Sequence, residues 1–225
     1  MGKKKSERSI LVICAHSDDQ IFGPGGTMAK YAKEGREVYT VIFTFGALSH
    51  PHFKPEVIKK TRVLEAQKAD KVIGGKEVRF MGFKEGSIVA DFKERDGRKK
   101  LASLIRKYNP DKIFTHSADD PLGDHRAVNK CVLETFDHMK YNARVYSFEV
   151  WNLFSLKKHD SPKMVVDISD TFNKKITALK CFKSQINVFS YAVGNNLLFL
   201  SVYVRAFMNG IKNNCRFAET FWLER

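Results

Sequence analysis

The chain has 225 residues, of which 43% are hydrophobic and 28% are charged, and its formal net charge at pH 7 is +14. This composition predicts a single domain spanning the chain, with residues 1–8 as a flexible basic tail, and excludes an intrinsically disordered protein. The charge would attract polyanions, but the lysines are dispersed without interleaved aromatic residues, so nucleic acid is not predicted as a partner.

The N-terminal part of the sequence predicts a strand, a helix and a second strand. The run 10–14 is continuously apolar, which is typical of a strand buried on both faces of a parallel sheet. A glycine-rich turn at 23–26 precedes a predicted helix over 27–34, which ends at Gly35. The second strand is predicted over 38–45. The glycines of the turn do not have GxGxxG spacing and no acidic ribose partner follows, so we do not predict a dinucleotide-binding loop.

The rest of the sequence continues this alternation of helices and strands. Further helices are predicted over about 55–73, 101–108, 124–139 and 169–184, and further strands over 77–81, 112–116, 144–150 and 164–168. Asp124 is expected to act as the N-cap of the helix that it begins. The alternation predicts a three-layer α/β fold with a Rossmann-like, mostly parallel sheet.

An apolar stretch near the C-terminus is too interrupted to predict a transmembrane segment. Residues 188–204 are broken by glycine and asparagine at 194–196, and a span needs roughly 20 apolar residues. We expect a buried helix or a contact in a homo-oligomer there. No CxxC pair occurs among the four cysteines, which favours reduced thiols and a cytoplasmic location; they are Cys14, Cys131, Cys181 and Cys215.

Two clusters of histidine and aspartate follow the first and the fourth predicted strands. Because parallel strands end at one edge of a sheet, the segments 15–20 and 119–125 are expected to meet there. His16, Asp19 and His125 would supply the three protein ligands of a hydrolytic zinc site, and Asp18 would remain as a base for water. Either cluster alone could simply cap a helix. Together they favour a metal site, since crowded unpaired carboxylates repel each other.

The first cluster and the glycines after it resemble a family signature. Ala15-His16-Ser17-Asp18-Asp19-Gln20 with Gly25-Gly26-Thr27 is similar to the A-H-P-D-D-E...GGT pattern of the PIG-L/LmbE family of zinc-dependent N-acetylglucosamine deacetylases. Further similarities extend over nearly the whole chain: Thr61-Arg62 with Glu65, Phe80-Met81-Gly82-Phe83, Pro110-Asp111 with Thr115-His116, Asp124-His125-Arg126, Val166-Asp167-Ile168 with Ser184-Gln185, and Ala218-Glu219-Thr220-Phe221.

The resemblance implies an LmbE-like fold and a role for individual residues. The implied metal and proton-transfer groups are His16, Asp19 and His125 as zinc ligands, Asp18 as general base, and Asp124 as the group that orients a neighbouring imidazole. Arg62 and Glu85 fall where the family contacts the sugar. The implied reaction is attack of zinc-bound hydroxide on the acetamide of an N-acetylated amino sugar, which releases acetate and an amine. His/Asp sites also accept other divalent metals.

Three positions depart from the family pattern. Ser17 replaces proline and should change the stiffness of the loop, and Gln20 replaces glutamate and removes a negative charge. At Leu122 many family members have a histidine that polarises the carbonyl or protonates the leaving amine, and a hydrocarbon side chain can do neither.

Other histidines could replace the one missing at position 122. We favour His116 because it shares a connection with His125, although a histidine that merely ends a strand is equally compatible with the sequence. His50 and His52, from the loop after the second strand, are alternatives. His138 and His159 are expected at the surface.

The sequence therefore predicts a zinc hydrolase that deacetylates an N-acetylglucosamine-containing small molecule or glycoconjugate. One alternative is a catalytically impaired family member that binds a polyanion, suggested by the net charge and Leu122. Another is a zinc amidase with a different N-acyl substrate.

Overall fold

The computed structural model describes residues 8–47, 54–150, 161–185 and 194–225, with the main chain alone for 194–199. These residues form seven strands: β1 (Ser9–Cys14), β2 (Val38–Ile42), β3 (Glu77–Phe80), β4 (Pro110–His116), β5 (Arg144–Phe148), β6 (Lys163–Asp167) and β7 (Ala218–Leu223). They also form eight helices: α1 (Asp19–Phe22), α2 (Gly25–Lys33), α3 (Pro55–Ile73), α4 (Ile88–Glu94), α5 (Gly97–Tyr108), α6 (Gly123–Met139), α7 (Phe172–Leu179) and α8 (Gly194–Ile211).

The strands form one mixed sheet in the order β3-β2-β1-β4-β5-β7-β6. The first five strands are parallel, with β1 between β2 and β4, whereas β7 is antiparallel to both of its neighbours. Because β1 and β4 are adjacent and parallel, the two segments that follow them leave the sheet at the same edge. This is the edge where the sequence places its histidines and aspartates.

Helices cover both faces of the sheet. Side chains of β1 alternate between two buried clusters. Ile10 and Val12 belong to the cluster that includes residues of α2, α3, α7 and α8. Leu11 and Ile13 belong to the cluster that includes residues of α4, α5 and α6. All six residues of β1 are buried, as its continuous apolar sequence requires. The predicted three-layer α/β fold with a mostly parallel sheet is confirmed.

Several predicted boundaries and elements differ from the structure. The short helices α1 and α4 and the antiparallel strand β7 are absent from the sequence-based prediction, and α7 ends at Leu179 rather than near residue 184. Asp124 is not the N-cap of α6, because Leu122 occupies the N-cap position and Asp124 lies in the first turn. Its carboxylate is engaged elsewhere, as described below.

The apolar stretch near the C-terminus contributes to α8, although its residues 188–193 lie outside the described part of the chain. The prediction of a buried helix is wrong for one face, where Leu200 is 53% exposed and Ile211 57% exposed. None of the helices in the described ranges is long and apolar enough to cross a membrane. The four cysteines are free thiols.

Candidate metal centre

The ends of β1 and β4 bring the two His/Asp clusters together. After β1 the chain turns directly into α1, and the amide of His16 donates to Asp19 Oδ2 over 2.8 Å, which fixes the turn. After β4 a loop leads into α6, whose first turn carries His125. The two histidines, 109 residues apart in the sequence, are thereby neighbours in space.

Three potential ligand atoms form a nearly equilateral triangle. His16 Nδ1 and His125 Nε2 each lie 3.3 Å from Asp19 Oδ2, and the two nitrogens are 3.3 Å apart. A tetrahedral zinc ion with bonds of about 2.0–2.1 Å separates its ligands by about 3.3–3.4 Å. Asp19 and His125 are buried and His16 is partly exposed. The donor set therefore fits a divalent cation reached from one side.

Each imidazole of the triangle is supported by a further carboxylate. Asp124 Oδ2 lies 3.3 Å from His16 Nε2, and Asp124 also accepts from the amide of Gly86 over 3.0 Å. Asp120 Oδ1 lies 3.0 Å from His125 Nδ1. Carboxylates in such positions orient a metal-binding histidine and fix which ring nitrogen faces the metal.

The role of Asp120 as a partner of His125 was not predicted from the sequence. The amide of Leu122 donates to Asp120 Oδ1 over 3.0 Å, which holds the carboxylate beneath His125. Its burial raises its pKa, but the contact with His125 outweighs this effect and leaves the pKa below its usual range. Its position in the polar loop before His125 was the available signal, but two adjacent aspartates, Asp119 and Asp120, share that loop.

His116 lies behind the triangle rather than at its open side. Its side chain is fully buried, its ring stacks on that of His125 with centroids 3.8 Å apart, and its Nε2 lies 3.2 Å from Asp19 Oδ2. The amide of Ala15 donates to the same Nε2 over 3.0 Å. Burial, together with the nearby charge of His125, lowers the pKa of His116 to about 4. Because Nε2 accepts from Ala15, a neutral His116 ring carries its proton on Nδ1, and the ring packs behind Asp19 without donating to it.

Asp18 lies outside the triangle and is paired with Arg62. Arg62 is 3% exposed, and its Nη2 lies 3.4 Å from Asp18 Oδ1. Its other nitrogens donate to Ser17 Oγ over 2.8 Å and to the carbonyl of Gly46 over 3.3 Å. A Cβ on Gly46 would lie 2.0 Å from Arg62 Nη1, and the backbone of Gly46 has φ +66°, so this position requires glycine.

The remaining predicted residues lie around the centre or outside the described ranges. Glu85 is half-buried and accepts a hydrogen bond from Thr44 Oγ1 over 3.3 Å. It directly precedes Gly86, whose amide donates to Asp124. Leu122 is 39% exposed. His138 is at the surface, as predicted. The positions of His50, His52 and His159 lie outside the described residues, as do residues 1–7 of the predicted tail.

The electrostatics of the centre favour positive charge. Burial lowers the pKa of His16, but its hydrogen bonds to Asp124 and Asp19 outweigh this and raise the pKa to about 10. Burial would also lower the pKa of His125, but Asp19 and Asp120 outweigh this effect and raise the pKa to about 9. Burial alone would raise the pKa of Asp19, but the nearby imidazoles hold it well below its usual range. A divalent cation competes with protons for the same lone pairs.

Fold and site together define an α/β protein with a His/Asp/His centre able to hold a metal at the carboxyl edge of its parallel strands. The family model for GlcNAc-PI de-N-acetylases, PIG-L, matches residues 11–136. The chain therefore belongs to the PIG-L family, whose enzymes hydrolyse N-acetyl amides. The resemblance noted in the sequence is confirmed.

Relatives of the chain carry more than one activity in their names. The Bacillus cereus protein named "Probable N-acetyl-alpha-D-glucosaminyl L-malate deacetylase 2" is 27% identical over 80% of this chain and 84% of its own length. The 4-oxalmesaconate hydratase of Pseudomonas putida is 25% identical over 82% of this chain and 77% of its own. The structure of the N,N'-diacetylchitobiose deacetylase from Pyrococcus horikoshii matches with a TM-score of 0.78 and 21% identity, covering 97% of this chain and 84% of that one.

Proposed function

We propose that this protein is a zinc-dependent hydrolase that removes the N-acetyl group from an N-acetylglucosamine-containing small molecule or glycoconjugate. The observation that carries the proposal is the triangle of His16, Asp19 and His125, with sides of 3.3 Å, beside a separate carboxylate. Membership of the PIG-L family and the deacetylase names of several relatives support the substrate class.

The residues of the triangle would hold the metal. Asp124 and Asp120 would keep the imidazoles of His16 and His125 in the orientation that binding requires. A bound divalent metal supplies Lewis acidity, which polarises a carbonyl and makes water a stronger acid. Iron, manganese or cobalt could also occupy such a site, and zinc is proposed on the donor set and the fit of its spacing.

Asp18 is the proposed general base. Its side chain is only 16% exposed, and this partial burial raises its pKa, while the charge of Arg62 opposes the change. We assign Arg62 to positioning Asp18 rather than to the sugar, because its guanidinium is buried and bonded to protein groups through all three nitrogens. Ser17, where the family usually has proline, provides one of those bonds.

Asp18 is also the proposed proton donor to the leaving amine. Leu122 has no proton to give, and His116 is too deeply buried to reach a substrate without displacement. Asp18 takes a proton from the attacking water as the C–O bond forms, and it returns that proton to nitrogen as the C–N bond breaks. The products are acetic acid and an amine, between which a proton then passes to give acetate and an ammonium group, and Asp18 ends in its starting state.

The setting proposed for this activity is the cytoplasm, with a small-molecule substrate. The four free thiols, three of them buried, are compatible with a reducing compartment. Glu85, beside the loop that binds Asp124, is the residue proposed to contact the sugar.

The test measures metal content and acetate release with N-acetylglucosamine linked to malate, linked to inositol, and as a chitobiose. One zinc per chain and acetate from at least one substrate are expected. Asp18→Asn should keep the metal and lose activity by about a thousandfold or more, since it removes the base. The matched control is Asp170→Asn, at a carboxylate whose side chain is 83% exposed, and it should behave as the wild type.

Three outcomes would overturn parts of the proposal. A metal-free protein that binds nucleic acid in a salt-sensitive manner would favour the polyanion-binding alternative. Zinc without acetate release from the sugars, but with hydrolysis of other N-acyl compounds, would favour the amidase. Hydration of an unsaturated carboxylic acid, with no acetate formed, would place the chain with its hydratase relative.

A further inference from the structure

The outer face of α8 carries a continuous line of exposed apolar side chains, which we call the α8 stripe. Its members are Leu200, Tyr203, Val204, Phe207, Met208 and Ile211, with exposed fractions from 40% to 57%. They recur every three or four residues and so lie along one side of the helix. A contiguous exposed patch of this kind marks an interaction surface more often than isolated apolar residues do.

The other side of α8 is fixed to the body of the protein. Val202 is 2% exposed and Ala206 is 4% exposed. Arg205 donates to the carbonyls of Glu149 and Val150, both over 2.8 Å, and so ties the helix to the chain that leaves β5. The stripe is therefore presented by an anchored helix, and its exposure does not come from a helix that has detached.

The sequence around the stripe carries positive charge and no negative charge. Residues 171–218 contain neither aspartate nor glutamate. Five lysines and arginines in the described part of this segment are exposed: Lys174, Lys180, Lys183, Lys212 and Arg216. At the end of the stripe, Lys212 follows α8 directly and the Arg216 guanidinium lies over the ring of Phe217, which neighbours Phe207, while one exposed carboxylate, Asp167, contacts Cys215. An apolar helix face beside a cationic segment is typical of helices that lie on anionic membrane surfaces.

A second copy of the chain is a poorer occupant of the stripe. About half of the surface of six large side chains amounts to roughly 500 Å², whereas a stable interface buries about 800 Å² on each partner. Two copies would also bring two acid-free, cationic segments together, and like charges repel.

We propose that the α8 stripe docks this protein onto the surface of an anionic lipid bilayer. Because no described helix can span a membrane, α8 lies in the plane of the interface with its stripe among the acyl chains and the nearby cations at the headgroups. The surface shares no residue with the candidate metal centre. The proposal is therefore independent of the proposed deacetylase activity and can fail or hold separately from it.

The experiment is co-sedimentation of the full chain with vesicles of phosphatidylcholine alone or with about one third phosphatidylglycerol. We expect binding to the anionic vesicles to be at least about tenfold tighter, and to weaken as salt is raised from about 0.1 to about 0.5 M. Leu200→Gln with Phe207→Gln should weaken this binding by about tenfold or more. Lys212→Gln with Arg216→Gln should weaken it less and flatten its salt dependence.

A matched pair on α3 provides the control. Val57 and Leu64 are 52% and 57% exposed and are seven residues apart, like Leu200 and Phe207. Val57→Gln with Leu64→Gln should leave vesicle binding unchanged. Equal loss in both double variants, or no binding by the wild type, would overturn the proposal. So would a dimer, detected by light scattering, that only the Leu200→Gln/Phe207→Gln variant dissociates.

Discussion

Two buried clusters of charged side chains in this protein satisfy their polar atoms in different ways. In the candidate metal centre, two imidazole nitrogens and the Asp19 carboxylate oxygen surround a common point and lie 3.3 Å from one another. In the second cluster, Lys175 and Glu219 pair at 2.6 Å and are almost entirely buried. The first cluster presents lone pairs to a common centre, whereas the second pairs a donor with an acceptor.

The Lys175–Glu219 pair is a closed network. Lys175 Nζ donates to the carbonyls of Phe22 and Gly23, each over 2.8 Å, as well as to Glu219. The carboxylate of Glu219 also accepts from the first amides of α2, Gly26 and Thr27. The positive end of α2 is thus occupied by a side chain of the protein itself. This network holds the glycine turn against β7.

The comparison separates a structural cluster from a functional one. Burying a charge is costly unless it is paired and hydrogen-bonded. The Lys175–Glu219 pair meets this condition with groups of the chain, whereas the converging lone pairs of the candidate metal centre could be satisfied by a cation. Removing a charge from the Lys175–Glu219 pair should therefore cost stability, and removing one from the candidate metal centre should cost metal binding and catalysis.

The largest expected effect is that of Asp19→Asn at the metal centre. The substitution keeps the shape of the side chain but removes the charge that three imidazoles face, so metal affinity should fall by about a hundredfold or more. Deacetylase activity should fall by about a thousandfold, measured as acetate release alongside metal content. A variant that retains both would show that the triangle is not a metal site.

The matching change in the closed network is Glu219→Gln. It leaves the Lys175 ammonium buried without a counter-charge, so the free energy of unfolding should fall by about 3 kcal/mol while metal content is retained. Denaturant unfolding measures the loss. The double variant Lys175→Met/Glu219→Gln should recover part of it. Loss of metal without loss of stability would contradict the distinction between the clusters.

Metal removal tests the same distinction without a substitution. A ligand that binds only the folded state, present at a concentration about 100 times its Kd, stabilises that state by about 2.7 kcal/mol. A chelator should therefore lower the melting temperature of the wild type and of Glu219→Gln alike, and leave that of Asp19→Asn unchanged. An equal shift in all three would place the metal elsewhere.

Asp70 is a buried carboxylate with neither a facing cation nor a closed network among the described residues, and the effect expected there depends on pH. It accepts a hydrogen bond from Thr40, but burial dominates and raises its pKa to about 7. Between about pH 4 and pH 7 the unfolded chain releases this proton while the folded chain keeps it, so the stability that Asp70 contributes is lost as pH rises through this window.

Asp70→Asn should remove this part of the pH dependence. The variant should match the wild type near pH 4 and exceed its stability by up to about 4 kcal/mol at pH 8, since each unit of pKa difference corresponds to about 1.4 kcal/mol. Unfolding by denaturant at several pH values measures the difference, in which the other titrating groups cancel. Asp170→Asn, at the exposed carboxylate used above, is the control. Parallel curves for Asp70→Asn and the wild type would show that Asp70 is ionised in the folded protein.

The sequence predicted more of the parallel half of the sheet than of its antiparallel edge. The continuous apolar run of β1 and the helical periodicity of 101–108 depend on local composition, and both elements lie where they were predicted. Strand β7 went unrecognised because its pairing with β5 and β6 depends on residues far away in the sequence. The exposed face of α8 went unrecognised because an apolar sequence does not show whether anything covers it.

By itself the sequence determined the fold class, the family and the two segments that meet at the sheet edge, because hydrophobic periodicity and a motif of adjacent residues are local properties. Only the tertiary structure decided the contacts between distant residues: Asp120 beneath His125, Arg62 on Asp18, and His116 behind Asp19. Side-chain burial and hydrogen-bond partners are set by how strands and helices are packed. The role of a histidine or an arginine therefore could not be assigned from its position in the chain.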